Sequence, residues 1–245
     1  MGIKYGVDET FFNKWSSDMA YVLGFWYADG SVEFSPAMRG KYIRVTCTDK
    51  EIVESIKFAM RSDHTIVTTR KGKRYKDVHL LRIGSAALFD QLVRLGVVER
   101  KSTVITIPEV PRQFLMHFVR GYFDGDGCVY LEKNKEKSNY KRMTTVFTSG
   151  SKIFLQQLHT KLCEVDSFTE SLKINSTYGE HALAYQLRFS TRDSMRLYRL
   201  MYSDGLDNGL YLTRKRKIFE EYLERRNITL DAFEDVLITK GPITA

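Results

Sequence analysis

Helical and strand-like patterns of hydrophobic and polar positions alternate along the 245-residue chain, in the same order twice. The first half predicts a helix that ends near Gly30, strands over about 31–36 and 41–48, a helix over 50–60, strands over 64–70 and 77–84, and a helix over 85–96. The second half predicts a helix over 114–124, strands over 129–133 and 142–149, a helix over 151–165, a hairpin from 167–177 and 183–190, and helices over 191–202 and 213–226. These patterns predict an α+β fold of two αββαββα repeats, 1–107 and 108–245, in one compact pseudo-twofold unit.

A short motif marks the start of each repeat. The stretches "VLGFWYADG" at 22–30 and "VRGYFDGDG" at 119–127 share a glycine, two aromatic residues and a closing Asp-Gly. Gly24 and Gly121 are 97 residues apart, and so are Asp29 and Asp126. A motif that recurs at a fixed internal spacing indicates duplication.

Small residues line one face of each motif helix, because Gly24 precedes Ala28 by one turn and Gly121 precedes Gly125 by one turn. Small side chains allow two helix backbones to approach closely. A glycine inside a helix lowers its stability by about 1 kcal/mol relative to alanine, so a glycine at the same position of both motifs indicates a separate need for a small residue there. We therefore expect the two motif helices to pack on each other through Gly24 and Gly121.

The motif aspartates, Asp29 and Asp126, fall at the C-terminal ends of these helices, where Gly30 and Gly127 are expected to form left-handed caps. A carboxylate is disfavoured at the negative end of a helix dipole. Together with unpaired helix carbonyls it forms a hard-oxygen site of the kind that Mg²⁺ or Ca²⁺ occupies. An Asp-Gly pair also forms ordinary turns, but two copies in matching contexts favour a pair of metal sites suited to phosphodiester hydrolysis.

Composition points to a polyanionic partner. The chain has 38 Lys and Arg residues against 30 Asp and Glu, a net charge of +8, and a sequence pI of about 9.3. No apolar run approaches the length of a membrane span. Cys47, Cys128 and Cys163 show no metal or disulfide spacing, so we expect a reduced, intracellular compartment.

The two motifs and their spacing resemble the LAGLIDADG homing endonucleases, and roughly residues 15–226 are similar to the single-chain, two-repeat meganucleases of that family. The resemblance implies an intron-encoded, monomeric enzyme with no obligate protein partner. Two antiparallel saddles would lie along the major groove of a long, near-palindromic double-stranded DNA target. Mg²⁺ would support a staggered cut across the minor groove, whereas Ca²⁺ would bind without supporting cleavage.

The resemblance also implies roles for residues at the motif ends. Asp29 and Asp126 would bind the metals, and the carbonyl groups of Ala28 and Gly125 would add ligands. Family motifs often carry an aspartate two positions before the metal ligand; Asp124 matches this pattern, whereas the first copy has Tyr27 instead.

Further roles concern residues outside the motifs. Lys101 and Lys215 are the candidates for a basic residue beneath each scissile phosphate, and Arg214, Arg216 and Lys217 compete with Lys215. Cys47 and Thr148 stand where the family often has a polar residue that orders solvent. Because Cys47 is a poor substitute for such a polar residue, cleavage of one strand only is expected as an alternative to double-strand cleavage.

Side chains on a strand alternate between faces, so one face of each sheet can pack on helices while the other meets DNA. Basic clusters at corresponding turns, "RKGKRYK" at 70–76 and "EKNKEKSNYKR" at 132–142, favour phosphate contact. The residues expected to contact DNA are Glu33, Ser35, Lys41, Tyr42, Arg44, Thr46, Thr68, Arg70, Lys71, Lys73, Arg74, Lys76, His79, Tyr130, Glu132, Lys133, Lys135, Lys141, Arg142, Thr145, Lys173, Asn175, Gln186 and Arg188.

The leading interpretation is a sequence-specific DNA endonuclease. The alternatives are an intron RNA maturase and a non-cleaving DNA-binding protein on the same scaffold. The presence of both Asp29 and Asp126 favours the nuclease, because a protein that only binds nucleic acid needs no paired carboxylates.

Overall fold

A computed structural model describes residues 5–36, 40–70, 72, 76–98, 103–133, 140–169, 174–178, 183–203 and 209–229. The first repeat contains α1 Ser17–Asp29, β1 Gly30–Ser35, β2 Gly40–Cys47, α2 Lys50–Ala59, β3 Ile66–Thr69, β4 Val78–Gly84 and α3 Ala86–Arg94. The second contains α4 Leu115–Asp126, β5 Gly127–Lys133, β6 Tyr140–Ser149, α5 Lys152–Val165, β7 Ile174–Tyr178, β8 Leu183–Phe189 and α6 Thr191–Tyr202, followed by α7 Thr213–Arg226. The predicted α+β fold of two αββαββα repeats is confirmed.

Each repeat contributes one four-stranded antiparallel sheet, with strand orders β1-β2-β4-β3 and β5-β6-β8-β7. Alternate residues on the inner strands are buried against the helices, among them Ile43 and Val45 on β2 and Leu81 and Ile83 on β4. Among the described residues, the helices thus pack on one face of each sheet and leave the opposite face open. Within the described ranges, no helix is long and apolar enough to cross a membrane.

The motif helices α1 and α4 pack against each other at the centre of the molecule. A methyl group added at Gly24 would overlap the carbonyl oxygen of Phe118, and one added at Gly121 would overlap the carbonyl oxygen of Tyr21. The two backbones are therefore in direct contact, as the small-residue pattern predicts. Residues 19–27 of α1 are all buried, because this helix packs on its partner on one side and on the sheets on the other.

Gly30 and Gly127 do not adopt the expected left-handed caps. Their φ angles are −88° and −86°, so each motif helix runs directly into an extended strand. The reason for glycine is space rather than handedness, since a side chain at Gly30 would overlap the Trp26 indole and one at Gly127 the Phe123 ring. The sharp transition places each motif aspartate where helix meets strand.

Serine side chains begin several of the helices. The hydroxyl groups of Ser16, Ser85 and Ser151 each accept a hydrogen bond from the backbone N–H three residues further on. Asp49 holds the equivalent position before α2, but its side chain makes no capping hydrogen bond. Its carboxylate instead binds Arg214 at the start of α7.

Candidate functional site

Asp29 and Asp126 lie at the adjacent C-terminal ends of α1 and α4, and both are exposed. The contact between the two helices continues to this end. A Cβ atom built on Gly125 would overlap the Cβ of Ala28 and would lie 3.5 Å from Oδ2 of Asp29. The carboxylate of Asp29 therefore adjoins the last turn of α4, and both motif aspartates stand at this end of the helix pair.

Tyr122 lies on α4 one turn before Asp126, and the charges of both motif aspartates affect the pKa of its phenol. Burial raises the pKa of its phenol well above the ordinary value, and the negative charges of Asp126 and Asp29 raise it further. The hydroxyl group donates a hydrogen bond of 2.8 Å to the carbonyl oxygen of Thr148. The neutral phenol thus anchors the end of β6 to the motif helix.

The donor set fits a hard divalent cation. Two exposed carboxylates and the last carbonyl groups of two helices, including those of Ala28 and Gly125, supply oxygen ligands only. Among the described residues there is no group of three or more His, Cys, Asp or Glu side chains that could hold a metal. Backbone oxygens and solvent would therefore complete the coordination.

Lys215 is held at the end of α4. Its ammonium group donates hydrogen bonds to the carbonyl oxygens of Phe123 at 2.6 Å, Asp124 at 2.8 Å and Gly127 at 2.6 Å, and it lies 3.5 Å from that of Gly125. An ammonium group has three N–H donors, so the three short contacts use all of them. Lys215 is 4% exposed, and burial lowers its pKa. This geometry is that of a buried cation stabilising the negative end of a helix.

Asp124 is buried at the same helix end. Its Oδ2 accepts hydrogen bonds from the hydroxyl of Tyr21 at 2.7 Å and from the backbone N–H of Leu212 at 2.9 Å, and burial raises its pKa to about 6. Tyr27 occupies the same position in the first motif, and its hydroxyl donates to the carbonyl oxygen of Leu95 at 2.5 Å. Both side chains fasten a motif helix to the chain that follows the third helix of its repeat.

The open face of the first sheet carries a charged cluster. The guanidinium carbon of Arg82 lies 3.9 Å from the ring centroid of Tyr42, and its Nη2 lies 3.2 Å from Oε1 of Glu33. Arg44 donates from Nε to the hydroxyl of Ser31 at 2.9 Å, and its Nη1 lies 3.8 Å from Oε2 of Glu33. Two arginines are therefore held on this face by side chains of β1 and β2.

The open face of the second sheet carries a related cluster. Arg188 donates from Nη2 to the hydroxyl of Tyr130 at 2.5 Å and from Nη1 to Oε1 of Gln186 at 3.1 Å. Nearer the hairpin end, Nε of Arg142 lies 4.0 Å from Oε2 of Glu132. Arginines supported by aromatic and amide groups suit contacts with base edges and phosphates.

A model of the LAGLIDADG-like domain family matches residues 16–95 and 113–201, one segment in each repeat. The chain belongs to this family. The two matched segments each begin just before a motif helix and end within or just after the third helix of the same repeat. The resemblance drawn from the sequence is thereby confirmed.

Solved structures share the fold of this LAGLIDADG chain. The homing endonuclease I-WcaI bound to its DNA recognition sequence has a TM-score of 0.52 at 14% identity, over 86% of this chain and 91% of that one. The meganuclease I-AabMI bound to uncleaved DNA scores 0.51 at 14% identity, over 83% and 88%. The homing endonuclease I-LtrWI bound to target DNA scores 0.50 at 13% identity, over 94% and 96%.

One curated relative is the probable translation initiation factor IF-2 of Methanocaldococcus jannaschii, 25% identical over 179 residues. The match covers 71% of this LAGLIDADG chain but 14% of that protein. The chain therefore spans about a seventh of the relative's length.

Four residues expected to contact DNA lie on the helix-facing side of the sheets, a placement that does not favour contact with DNA. The ammonium of Lys41 pairs with Asp90 of α3 at 2.5 Å. His79 is buried, and its Nδ1 lies 2.9 Å from the hydroxyl of Thr68, which faces the same side. Thr145 is fully buried. Alternation from Tyr42, Arg44 and Thr46, which lie on the open face, already places Lys41 on the other side.

The remaining described predictions on the strands lie on the open faces by alternation, and they stay predictions as DNA contacts: Glu33, Ser35, Tyr42, Arg44, Thr46, Tyr130, Glu132, Arg142, Asn175, Gln186 and Arg188. Three more are exposed at strand ends or in the hairpin, namely Arg70, Lys76 and Lys133. Outside the described residues lie Lys71, Lys73, Arg74, Lys101, Lys135, Lys173 and the side chain of Lys141.

The two residues expected to order solvent do not occupy matching positions. When the strands are aligned on the residues that pair with Gly30 and Gly127, Thr148 corresponds to Thr46 and Cys47 corresponds to Ser149. Cys47 is half-buried, and its sulfur accepts a hydrogen bond of 3.4 Å from the backbone N–H two residues further on. Burial raises the pKa of its thiol. Spacing from the following helix therefore placed the pair one residue out of register.

Sequence reasoning missed Arg82 although it named Arg188. The stretches "HLLRIGS" and "YQLRFST" align these two arginines, so the internal repeat held the signal. It also missed that Asp49 at the end of the first sheet binds Arg214 of the second repeat, a contact that only the folded chain shows.

Proposed function

We propose that this chain is a site-specific DNA endonuclease that hydrolyses both strands of its target with the help of divalent cations. The observation that carries the proposal is the pair of exposed carboxylates, Asp29 and Asp126, at the contact of two motif helices. They lie between two sheets whose open faces carry arginine, tyrosine and amide side chains. A cleavage centre and two reading surfaces thus meet on one pseudo-dyad.

Membership of the LAGLIDADG-like domain family supports this function. I-WcaI and I-AabMI, which share the fold, are a homing endonuclease and a meganuclease bound to DNA. The net charge of +8 supports association with a polyanion. We infer a long, near-palindromic double-stranded target, because the two sheets are equivalent in topology but differ in the side chains that they present.

In the proposed mechanism, Asp29 and Asp126 would hold the cations together with the helix carbonyl groups of Ala28 and Gly125. Bound Mg²⁺ would activate water and stabilise charge on the leaving oxygen of a phosphodiester. The chain's own contribution is to place two carboxylates on the dyad, so that each strand of a bound duplex meets one of them. Ca²⁺ is expected to occupy the same oxygen ligands without supporting cleavage.

A non-cleaving DNA-binding protein or an RNA maturase on the same scaffold is the second candidate. The presence of two exposed carboxylates, one at the end of each motif helix, disfavours it, since a protein that only binds nucleic acid needs no paired carboxylates. Translation initiation is not proposed, because the match covers 14% of the length of the translation initiation factor.

Cleavage of a randomised duplex library in Mg²⁺ tests the proposal, with the wild type beside Asp29→Asn and Asp126→Asn. Asp18→Asn is the matched control, because Asp18 lies in the first turn of the same helix as Asp29. Discrete cut sites in the wild type and the control that vanish in both motif variants are expected. Sequence-specific binding without any cut, unchanged by either motif substitution, would contradict the nuclease and favour the non-cleaving alternative.

A further inference from the structure

One row of side chains crosses the open face of the first sheet close to the motif. Ser31, two residues after Asp29, pairs with Arg44, and Arg44 pairs with Arg82 on the next strand. Residues on either side of Arg82 in the sequence are fully buried, so its side chain projects from the opposite, open face. The row thus begins at a fixed distance from the motif carboxylate.

The equivalent row of the second sheet begins with Cys128, two residues after Asp126. Cys128 pairs with Val146, and Val146 pairs with Arg188. Arg188 is exposed, whereas both of its sequence neighbours are fully buried. Strand order and register are the same in the two sheets, so the two rows are related by the pseudo-dyad.

Of the three residues in each row, only the third, an arginine, is identical in the two sheets. Ser31 corresponds to Cys128, and Arg44 corresponds to Val146. The next row contains Thr46 in the first sheet and Thr148 in the second, but it differs on the following strand, with Leu80 in the first sheet where the second has Gln186. Arg82 and Arg188 are therefore identical side chains at dyad-related positions, on surfaces that differ at most of their other positions.

Both arginines are oriented by neighbouring side chains. Arg82 stacks on the ring of Tyr42 and binds Glu33. Arg188 donates to the hydroxyl of Tyr130 and to the amide oxygen of Gln186. Support of this kind fixes the plane of a guanidinium group, which bidentate recognition of a base edge requires.

We propose that Arg82 and Arg188 recognise the same base, guanine, at positions of the two half-sites that are related by the pseudo-dyad and equally far from the centre of the target. A guanidinium group pairs with O6 and N7 of guanine in the major groove, which is the commonest specific contact of arginine with DNA. The rows around them read different bases in each half. The target is thus symmetric at this position and asymmetric beside it. This inference rests on the proposed binding of DNA by the two sheets.

The experiment selects randomised duplexes by binding in Ca²⁺, so that it does not depend on cleavage. Wild type, Arg82→Gln and Arg188→Gln are compared, with Arg94→Gln as the control, because Arg94 is an exposed arginine on α3 outside both sheets. The wild type is expected to enrich guanine at two positions equidistant from the centre. Each of the two variants should relax the preference at one of these positions by roughly tenfold or more, and the control should leave both intact.

Several results would overturn the inference. These are sequence-specific binding without a mirrored guanine pair, an equal loss of affinity for all sequences in the variants, and the absence of any sequence preference. A mirrored guanine pair in bound duplexes that are never cut in Mg²⁺ would support the inference while contradicting the proposed nuclease. The two claims therefore fail separately.

Discussion

Arg214 and Asp49 join the two repeats by a bidentate ion pair across 165 residues of sequence. Nε of Arg214 lies 3.1 Å from Oδ1 and 3.0 Å from Oδ2 of Asp49, and Nη2 lies 2.9 Å from Oδ2. Burial alone would raise the pKa of the Asp49 carboxyl, but the hydrogen bonds and positive charge of Arg214 outweigh it and lower the pKa. The pair fastens the start of α7 to the end of the first sheet.

Breaking this pair is expected to lower stability modestly. Both side chains are partly exposed, at 51% for Arg214 and 23% for Asp49, so solvent screens their attraction. A double-mutant cycle with Asp49→Asn and Arg214→Gln should give a coupling free energy of about 0.5–1 kcal/mol in urea unfolding. The exposed Glu221–Arg225 pair on the same helix serves as the control and should give less. Equal coupling in the two cycles would contradict a joining role.

Replacement of either interface glycine by alanine is expected to destabilise the protein. The added methyl group would overlap a carbonyl oxygen of the opposite helix at Gly24 and at Gly121, which forces the helices apart at a cost of about 1–3 kcal/mol. Helix propensity alone would instead favour alanine by about 1 kcal/mol. The sign of the change in unfolding free energy therefore separates the two effects.

Gly6→Ala is the matched control for these substitutions. A Cβ at Gly6 would meet a side-chain oxygen of Asp63 at 3.4 Å, an ordinary contact, so little loss of stability is expected. Variants at Gly24 and Gly121 that unfold at the same denaturant concentration as the wild type would refute the close backbone contact.

Lys215→Met is expected to cost about 3 kcal/mol of stability, because it leaves buried carbonyl groups at the end of α4 without their donor. Lys217→Met, two residues along the same helix and exposed, should cost little. Thermal unfolding of the two variants gives the comparison. Similar melting temperatures for both would show that Lys215 is not the structural cation that its contacts indicate.

His117 is expected to make stability fall in mild acid. Burial and the neighbouring charge of Arg120 lower the pKa of His117 to about 4 in the folded protein, against about 6.5 in an unfolded chain. Between these values the unfolded chain binds the proton and the folded protein does not, so stability is lost as the pH falls from about 6.5 toward 4.

His117→Gln should reduce this pH dependence. The measurement is the melting temperature of wild type and variant at several pH values across that range, because other titrating groups cancel in the difference between the two proteins. A difference that does not change with pH would show that His117 is not the group responsible.

Much of the fold follows from local pattern. Period and order alone predict the two αββαββα repeats, and the doubled motif predicts both the helix contact at Gly24 and Gly121 and the placement of Asp29 and Asp126 at helix ends. These features depend on residues near one another in sequence, or on exact repetition. They can for that reason be predicted from a single sequence.

Features set by strand register or by contacts between distant residues could not be predicted from the sequence. Lys41 and Thr145 were expected to contact DNA, but Lys41 pairs with Asp90, 49 residues away, and the backbone N–H of Thr145 donates to Ser194, also 49 residues away. The contacts of Lys215 with carbonyl groups of α4 join segments about 90 residues apart. Such contacts depend on how α7 docks, and the composition of "TRKRK" at 213–217 favours no one of its cations.

Cleavage of both strands of the selected target in one single-turnover reaction tests the central claim most directly. Each strand carries its own label, and wild type, Asp29→Asn, Asp126→Asn and Asp18→Asn are compared in Mg²⁺, with affinity measured in Ca²⁺. Loss of cleavage in the two motif variants, with affinity retained and Asp18→Asn fully active, is the predicted result. Undiminished cleavage of both strands by either motif variant would contradict a catalytic pair formed by Asp29 and Asp126.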